Sequence, residues 1–242
     1  MSYVGELVTF LKKPVSGEEQ ALHWKPLQVP GIILLHYLIY VGCLFIILII
    51  WGSIKYTFKD LPEGSSFDAT LSMVILVVLI APVVEELIFR LPLRFSKVNL
   101  LLSATLLSVW MLRGDYKAVL IVAFVVVAVV GFLLFYPKLG VSRYLEKFWE
   151  KHYSIVFYFF SALFALMHIL NYTNIVFPQG LFVLWMVMPQ FALGVMAGYL
   201  RVRYDKGLFF GMAVHAINNL VAVVPVLLLN WDEFLESLSI LK

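Results

Sequence analysis

The sequence predicts an all-α protein, a polytopic bundle of about seven transmembrane helices, with eight as the alternative. Of its 242 residues, 62% are hydrophobic and only 14% are charged, whereas soluble domains average about 45–50% apolar and about 25% charged residues. The apolar residues also cluster in segments that approach the roughly 20 residues a helix needs to cross a bilayer. So little polar surface could not cover a soluble globule, and a membrane is the expected environment.

Seven apolar segments are the candidate spans. They cover about 31–52, 70–91, 98–112, 117–136, 154–172, 180–200 and 207–229. The third is short for a bilayer, so we expect it to be tilted, re-entrant or partly interfacial. A re-entrant segment would give the count of eight and move the C-terminus to the other side of the membrane.

The N-terminal region before the first span shows an amphipathic pattern. Its apolar residues recur at helical spacing beside Lys12 and Lys13; they are Tyr3, Leu7, Phe10 and Leu11. This pattern predicts a helix at the membrane surface. Charges and prolines in this region leave no early apolar core, so we expect no cleavable signal peptide. We therefore divide the chain into an N-terminal interfacial segment with the first span (1–69), a core (70–230) and a short C-terminal tail (231–242).

The loop charges give the expected orientation. With the N-terminus in the cytoplasm, thirteen Lys and Arg residues fall in cytoplasmic segments and five on the opposite side. Because positive loops favour the cytoplasm, we expect the N-terminus on that side. The compact length and short loops favour a bacterial protein, so the expected location is a bacterial cytoplasmic (inner) membrane. The net charge is only +3, and the basic residues are scattered through short loops, so we expect no nucleic acid as a partner. Membrane lipid is the expected partner of the apolar spans. The single cysteine, Cys43, excludes an internal disulfide and a thiolate metal cluster.

Charged residues inside the second span need an explanation, since each costs roughly 2.5–3.5 kcal/mol at a helix centre on insertion scales. They are Glu85, Glu86 and Arg90. One interpretation is a helix end at the membrane surface. Apolar residues continue on both sides, however, and Arg94 and Lys97 mark a later exit.

Helical geometry assigns these charges different roles. Glu86 and Arg90 are four residues apart and form a pair that offsets part of their burial. Glu85 points about 100° away from that pair, and a carboxylate without this local partner suits a general base. Pro82 removes one helix hydrogen bond, and a bend there can open a wet cavity near Glu85.

Two later spans carry polar residues at the same four-residue spacing. Phe164 and His168 share a face of the fifth span, and His215 and Asn219 share a face of the seventh. A lone histidine of this kind is more often a hydrogen-bonded interior residue than a catalyst. His215 and Asn219 would equally serve as packing contacts between helices.

The expected depths of these residues agree. Glu85 lies nine residues before Arg94, and His215 lies nine residues after Lys206, which places both about 13 Å below the cytoplasmic face at about 1.5 Å per residue. Because the two helices run in opposite directions, this agreement is not imposed by the chain. His168 is expected to lie deeper.

These residues form three boxes, Glu85-Glu86-x-x-x-Arg90, Phe164-x-x-x-His168 and His215-x-x-x-Asn219. In this order and on separate spans, they resemble the CPBP family of CAAX-protease and bacteriocin-processing intramembrane proteases, which includes the type II CAAX prenyl endopeptidases. The glycine-containing stretch Phe191–Gly198, followed by Gly207, is similar as well. The resemblance extends over about residues 70–225.

The resemblance implies an intramembrane endopeptidase that hydrolyses a peptide bond in or near the membrane. Glu85 would activate a water and His168 would position it, while His215 and Asn219 would donate hydrogen bonds to the oxyanion. The supporting residues would be Glu86, Arg90 and Phe164. The expected partner is a peptide or protein substrate, which is lipidated in one branch of the family.

Three alternatives remain open at this stage. No cofactor is expected, but zinc held by Glu85, His168 and His215 is the alternative, since two histidines and a carboxylate can bind it. The same buried polar residues would also suit a polytopic transporter, although the sequence lacks the paired repeats of many transporters. A non-catalytic membrane partner is the third possibility.

Overall fold

The computed structural model describes residues 3–16, 22–23, 25–57, 63–64, 68–112, 116–173 and 182–239. The described chain is an all-α helix bundle, which confirms the predicted fold class. Its helices are α1 (Tyr3–Lys12), α2 (Val29–Thr57), α3 (Leu71–Ile75), α4 (Ala81–Phe89), α5 (Lys97–Met111), α6 (Tyr116–Phe135), α7 (Val141–Lys151), α8 (Tyr153–Met167), α9 (Val183–Met186), α10 (Met188–Arg203), α11 (Gly207–Leu229) and α12 (Trp231–Ser239). A two-residue antiparallel strand pair joins Glu63–Gly64 to Tyr172–Thr173.

Five helical segments of the described residues are long and apolar enough to cross a membrane. They are Pro26–Ile54, Leu71–Leu93, Tyr116–Phe135, Tyr153–Asn171 and Gly207–Leu229. The other two predicted spans correspond to α5 and α10, which have 15 and 16 residues. The chain is therefore an integral membrane protein with a polytopic helix bundle.

Two predicted spans differ from the observed helices in their limits. The first continues to Thr57, five residues past its predicted end at 52. The sixth, predicted at 180–200, begins only at Met188, with Pro189 in its first turn and the short α9 before it. Hydropathy alone does not predict this break between α9 and α10, because the residues on both sides of it are also apolar. Positions 180 and 181, and the predicted loop charges Lys59, Arg113 and Lys242, lie outside the described residues.

Helix α10 packs against α2, α8 and α11. Two of its glycines allow α8 to come close: a Cβ on Gly194 would lie 3.2 Å from the Phe164 ring, and one on Gly198 would lie 2.9 Å from the Phe157 ring. The turn into α11 is tighter still, since a Cβ on Gly207 would lie 1.8 Å from the Leu200 carbonyl oxygen. These contacts allow both α8 and α11 to pack closely against α10.

The end of α4 is held by side chains from neighbouring helices. Ser103 Oγ donates a hydrogen bond to the Ile88 carbonyl over 2.6 Å, and Trp149 Nε1 donates to the Pro92 carbonyl over 2.9 Å. Tyr153 Oη likewise donates to the Leu93 carbonyl over 2.9 Å. The charged segment of α4 is therefore fixed inside the bundle.

The N-terminal helix packs on protein more than the amphipathic pattern indicates. Leu7 of α1 is buried, and Phe10 lies edge-on against Phe157 and Tyr199 with ring centroids 5.2 and 5.1 Å apart. The Arg203 guanidinium pairs with the Glu6 carboxylate over 2.6 Å. Helix α1 is thus docked onto α8 and α10.

The C-terminal region is helical where the structure describes it. Helix α12 occupies most of the predicted tail. Ser237 Oγ of α12 accepts a hydrogen bond from the Leu71 backbone amide over 3.0 Å. This contact holds α12 against the start of α3.

Candidate active site

Three helices bring one carboxylate and two imidazoles together. Glu85 lies on α4, His168 follows the last residue of α8, and His215 lies in α11. Glu85 Oε2 lies 3.6 Å from His215 Nε2 and 3.9 Å from His168 Nε2. The side chains of Glu85 and His168 keep 12% and 18% of their surface exposed, whereas His215 keeps 2%. Water therefore has access to the Glu85 side of this cluster.

The orientation of His168 is set within its own helix. Its Nδ1 lies 2.9 Å from the Phe164 carbonyl oxygen. Because a carbonyl oxygen only accepts, Nδ1 carries the hydrogen in this bond. In the neutral ring the Nε2 lone pair then faces Glu85.

His215 is held by the second carboxylate of α4. Its Nδ1 donates to Glu86 Oε1 over 3.1 Å, and Glu86 Oε2 forms an ion pair with Arg90 Nε at 3.3 Å. All three side chains are buried. Arg90, Glu86 and His215 thus form a continuous chain of polar contacts that ends beside Glu85.

The sequence predicted the Glu86–Arg90 pair but missed the contact of Glu86 with His215. Gly211, four residues before His215, is a signal that could have indicated it. A Cβ at Gly211 would lie 2.9 Å from Glu86 Oε2. A glycine on the same helix face as His215 therefore leaves space for the carboxylate.

The Phe164 ring packs against three polar side chains of the site. It lies edge-on to His168 and His215, with ring centroids 4.8 and 5.4 Å apart. The Arg90 guanidinium carbon lies 4.0 Å from the same ring centroid, within the range of a cation–π contact. Phe164 thus contacts both histidines and the arginine that neutralises Glu86.

Asn219 lies one turn beyond His215 on α11. Its Nδ2 donates to the Val77 carbonyl over 2.9 Å, and its Oδ1 accepts from Asn218 Nδ2 over 3.3 Å. Val77 belongs to the π-helical turn Leu76–Ile80 that precedes α4. The amide is therefore anchored on the helix that carries Glu85.

A cavity of about 50 Å³ lies next to the cluster. Glu85, His168 and Asn171 form its polar side, and Phe89, Trp110, Met167 and Leu170 line the rest. This volume exceeds the roughly 10–15 Å³ that one water requires. The cavity can hold a water in contact with Glu85.

The donor set has some properties of a zinc site. Both ring Nδ1 atoms of His168 and His215 bond to oxygen acceptors, as the outer nitrogen of a zinc-bound histidine commonly does. Among the described residues, however, no group of three or more His, Cys, Asp or Glu side chains is arranged to hold a metal ion. Glu85, His168 and His215 remain the candidate ligands of the zinc alternative. Removal of metal by a chelator tests it.

A carboxylate and two imidazoles thus lie next to a small cavity inside a membrane bundle, a set of groups suited to general acid–base chemistry. The sequence profile of the family described as type II CAAX prenyl endopeptidase Rce1-like matches residues 67–221, more than half of the chain. The chain belongs to this family and so to the CAAX-type intramembrane endopeptidases, and its substrate is a peptide or protein. Searches of curated proteins and of solved structures return no match.

Proposed function

We propose that this protein hydrolyses a peptide bond in or near the membrane with a water activated by Glu85 and His168. The observation that carries the proposal is the convergence of Glu85 Oε2 with the Nε2 atoms of His168 and His215, at 3.9 and 3.6 Å. Both groups facing Glu85 come from other helices, so the fold itself assembles the cluster.

The Glu85–His168 separation suits a bridging water. A water with a hydrogen bond of about 2.8 Å to each group spans the 3.9 Å between Oε2 and Nε2. It donates one hydrogen to the carboxylate and the other to the ring, which directs an oxygen lone pair away from both. As this oxygen attacks the carbonyl carbon, Glu85 takes the proton and later transfers it to the leaving nitrogen when the C–N bond breaks.

His215 and Asn219 are the proposed donors to the oxyanion. Because His215 Nδ1 donates to Glu86, its second donor is a protonated Nε2. This proton brings the formal charge of Glu85, Glu86, Arg90 and His215 from −1 to zero. One such donor is worth roughly 2.7–4 kcal/mol in the transition state, and the contact of Nδ1 with Glu86 supports this role by fixing the orientation of the ring.

If zinc binds, Glu85, His168 and His215 would hold it, and the metal would supply a bound water of lowered pKa. None of the proton transfers above requires the metal. We propose the metal-free, glutamate-dependent version.

We further propose that the N-terminus faces the cytoplasm, in a bacterial inner membrane. Two sets of contacts support this orientation: the Arg203–Glu6 pair, and the hydrogen bonds of the Arg94 guanidinium to the carbonyls of Tyr204 and Asp205. They join the N-terminal segment, the segment with Arg94 and the segment with Arg203, which were all predicted to be cytoplasmic. A Ser16→Cys variant without Cys43 tests this. An impermeant maleimide should label it only after the cells are lysed, and labelling of intact cells would refute the orientation.

The substrate proposal follows the family: a protein with a prenylated cysteine followed by three residues. Purified protein in liposomes is given an internally quenched peptide ending in farnesyl-cysteine and three residues, and a matched peptide without the lipid. We expect cleavage of the first peptide and loss of cleavage in Glu85→Gln. A folded Glu85→Gln variant with wild-type turnover would reject the role of Glu85.

If neither peptide is cleaved, the prenylated substrate is wrong, and the peptide-bond hydrolysis is tested in cells. Peptides from cells with wild-type protein and with Glu85→Ala are then compared by mass spectrometry. Products that depend on Glu85 identify the substrate. Identical peptide sets would reject the peptidase function of this site.

A further inference from the structure

The helix that carries Glu85 has an irregular turn one step before the site. The Ala81 backbone amide donates to the Leu76 carbonyl, five residues back, which makes Leu76–Ile80 a π-helical turn. In an α-helix the Ala81 amide would serve Val77 instead. The next residue is Pro82, which has no amide hydrogen. The Val77 carbonyl therefore accepts no hydrogen bond from residue 81, its donor in an α-helix, or from residue 82, its donor in a π-helix.

The missing donor comes from another helix. Asn219 Nδ2 of α11 donates to the Val77 carbonyl over 2.9 Å, across 142 positions of sequence. Its Oδ1 accepts from Asn218 Nδ2, and these two bonds fix the plane of the amide. A primary amide nitrogen carries two hydrogens, so the bond to Val77 leaves one for a substrate oxygen.

This bond joins α11 to the π-helical turn that leads into α4. Pro82 precedes Glu85 by three residues, and Asn219 follows His215 by four. On the other side of the site, His215 Nδ1 contacts Glu86 Oε1 at 3.1 Å. The Asn219 amide is thus bonded to the π-helical turn that ends two residues before Pro82.

We infer that Pro82 is a positioning residue for Asn219: by leaving the Val77 carbonyl without a backbone donor, it orients the Asn219 amide toward the oxyanion. The inference makes two claims. The first, that Pro82 controls the Asn219–Val77 hydrogen bond (the hydrogen-bond half), is independent of any activity. The second, that this bond places Asn219 for catalysis (the catalytic half), rests on the proposed function.

The hydrogen-bond half is tested by a double-mutant cycle on thermal stability. Pro82→Ala supplies an amide hydrogen that returns a backbone donor to Val77, whether the turn stays π-helical or becomes α-helical. Asn219→Ala alone leaves the partly buried Val77 carbonyl without its donor and should lower the unfolding midpoint by roughly 3–8 °C. In the Pro82→Ala background the same change should lower it by less than about 2 °C. Equal shifts in both backgrounds would show that Pro82 does not control this bond.

The catalytic half uses the same cycle with kcat and KM for the peptide cleaved in the assays above. Asn219→Ala should lower kcat about 100-fold, and Pro82→Ala about tenfold or more with KM within about twofold. The double variant should match Asn219→Ala within about twofold, because both changes remove the same donor. Independent effects, about 1,000-fold together, would overturn the positioning role.

Pro92→Ala is the matched control, since Pro92 is also buried and lies in the 3-10 turn after α4. It should give no coupling with Asn219→Ala in either measurement, and coupling of similar size would overturn the specific role of Pro82. If Glu85→Gln keeps full activity, the proposed function fails, yet the stability cycle still decides whether Pro82 and Asn219 are linked.

Discussion

Replacing Gly211 with alanine places a methyl group against the Glu86 carboxylate. The new Cβ would lie 2.9 Å from Glu86 Oε2 and 3.4 Å from the Ala197 Cβ. The carboxylate has little freedom to withdraw, because Arg90 Nε lies 3.3 Å from Oε2 and His215 Nδ1 lies 3.1 Å from Oε1. Gly211→Ala should therefore displace Glu86 and loosen its bond to His215.

The two energetic effects of this change differ in size. Overpacking costs about 1–3 kcal/mol, and the helix preference of alanine over glycine returns about 0.8–1 kcal/mol, so the net loss of stability should be about 0–2 kcal/mol. A hydrogen bond to a charged group contributes about 1.5–3 kcal/mol. At 1.36 kcal/mol per tenfold in rate, the loss of His215 orientation should lower kcat by roughly 10–100-fold.

The assay combines kcat and KM in liposomes with the unfolding midpoint in detergent. Gly131→Ala in α6 is the control, because a Cβ there meets no atom within 4 Å among the described residues; it should leave kcat unchanged. Wild-type kcat in a folded Gly211→Ala protein would show that the Glu86–His215 contact does not position a catalytic group.

Three further predictions concern the surroundings of the site. Phe164→Leu should destabilise the protein by about 2 kcal/mol and lower kcat, since it removes the ring that Arg90 and both histidines contact. The control Phe159→Leu, at a side chain that is 57% exposed, should change neither stability nor kcat. Equal effects of the two substitutions would contradict the reasoning. Tyr153→Phe should cost about 1 kcal/mol by removing the donor to the Leu93 carbonyl, seen as a lower midpoint with kcat unchanged, whereas an unchanged midpoint would refute the contribution of this bond. Exhaustive chelation should leave cleavage unchanged, and activity that is lost and then restored by added zinc would establish the metal-dependent version.

The sequence predicted the convergence of Glu85, His168 and His215 for a physical reason. Ionisable groups in apolar spans are costly, so those that occur tend to face one another in the bundle interior. Their four-residue spacings also assigned each side chain to a face of its helix. The observed distances of 3.6 and 3.9 Å from Glu85 agree with that reasoning, while their catalytic roles stay a prediction.

Contacts between distant segments could not be predicted in the same way. Periodicity relates residues within a helix, and the Glu86–His215 contact joins positions 129 residues apart. Pro82 indicated an irregular helix, but the π register that leaves the Val77 carbonyl to Asn219 depends on how α11 packs. The limits of α2 and α10 were missed for simpler reasons. Helix α2 continues through the polar residues Ser53 and Lys55, beyond the end of the apolar stretch. Helix α10 begins inside a continuous apolar stretch.

The length of α5 has a consequence for the supply of water. At about 1.5 Å per residue, its 15 residues span about 22 Å, whereas the hydrocarbon layer is about 30 Å thick. If Lys97 lies at one surface, the other end of α5, where Trp110 borders the cavity beside Glu85, stops short of the opposite surface. The last carbonyls of a helix have no partners within it and cannot be left bare in lipid, so this end should draw hydrating water inward. Each round of hydrolysis consumes one water, and we expect its replacement to approach Glu85 from this end of α5.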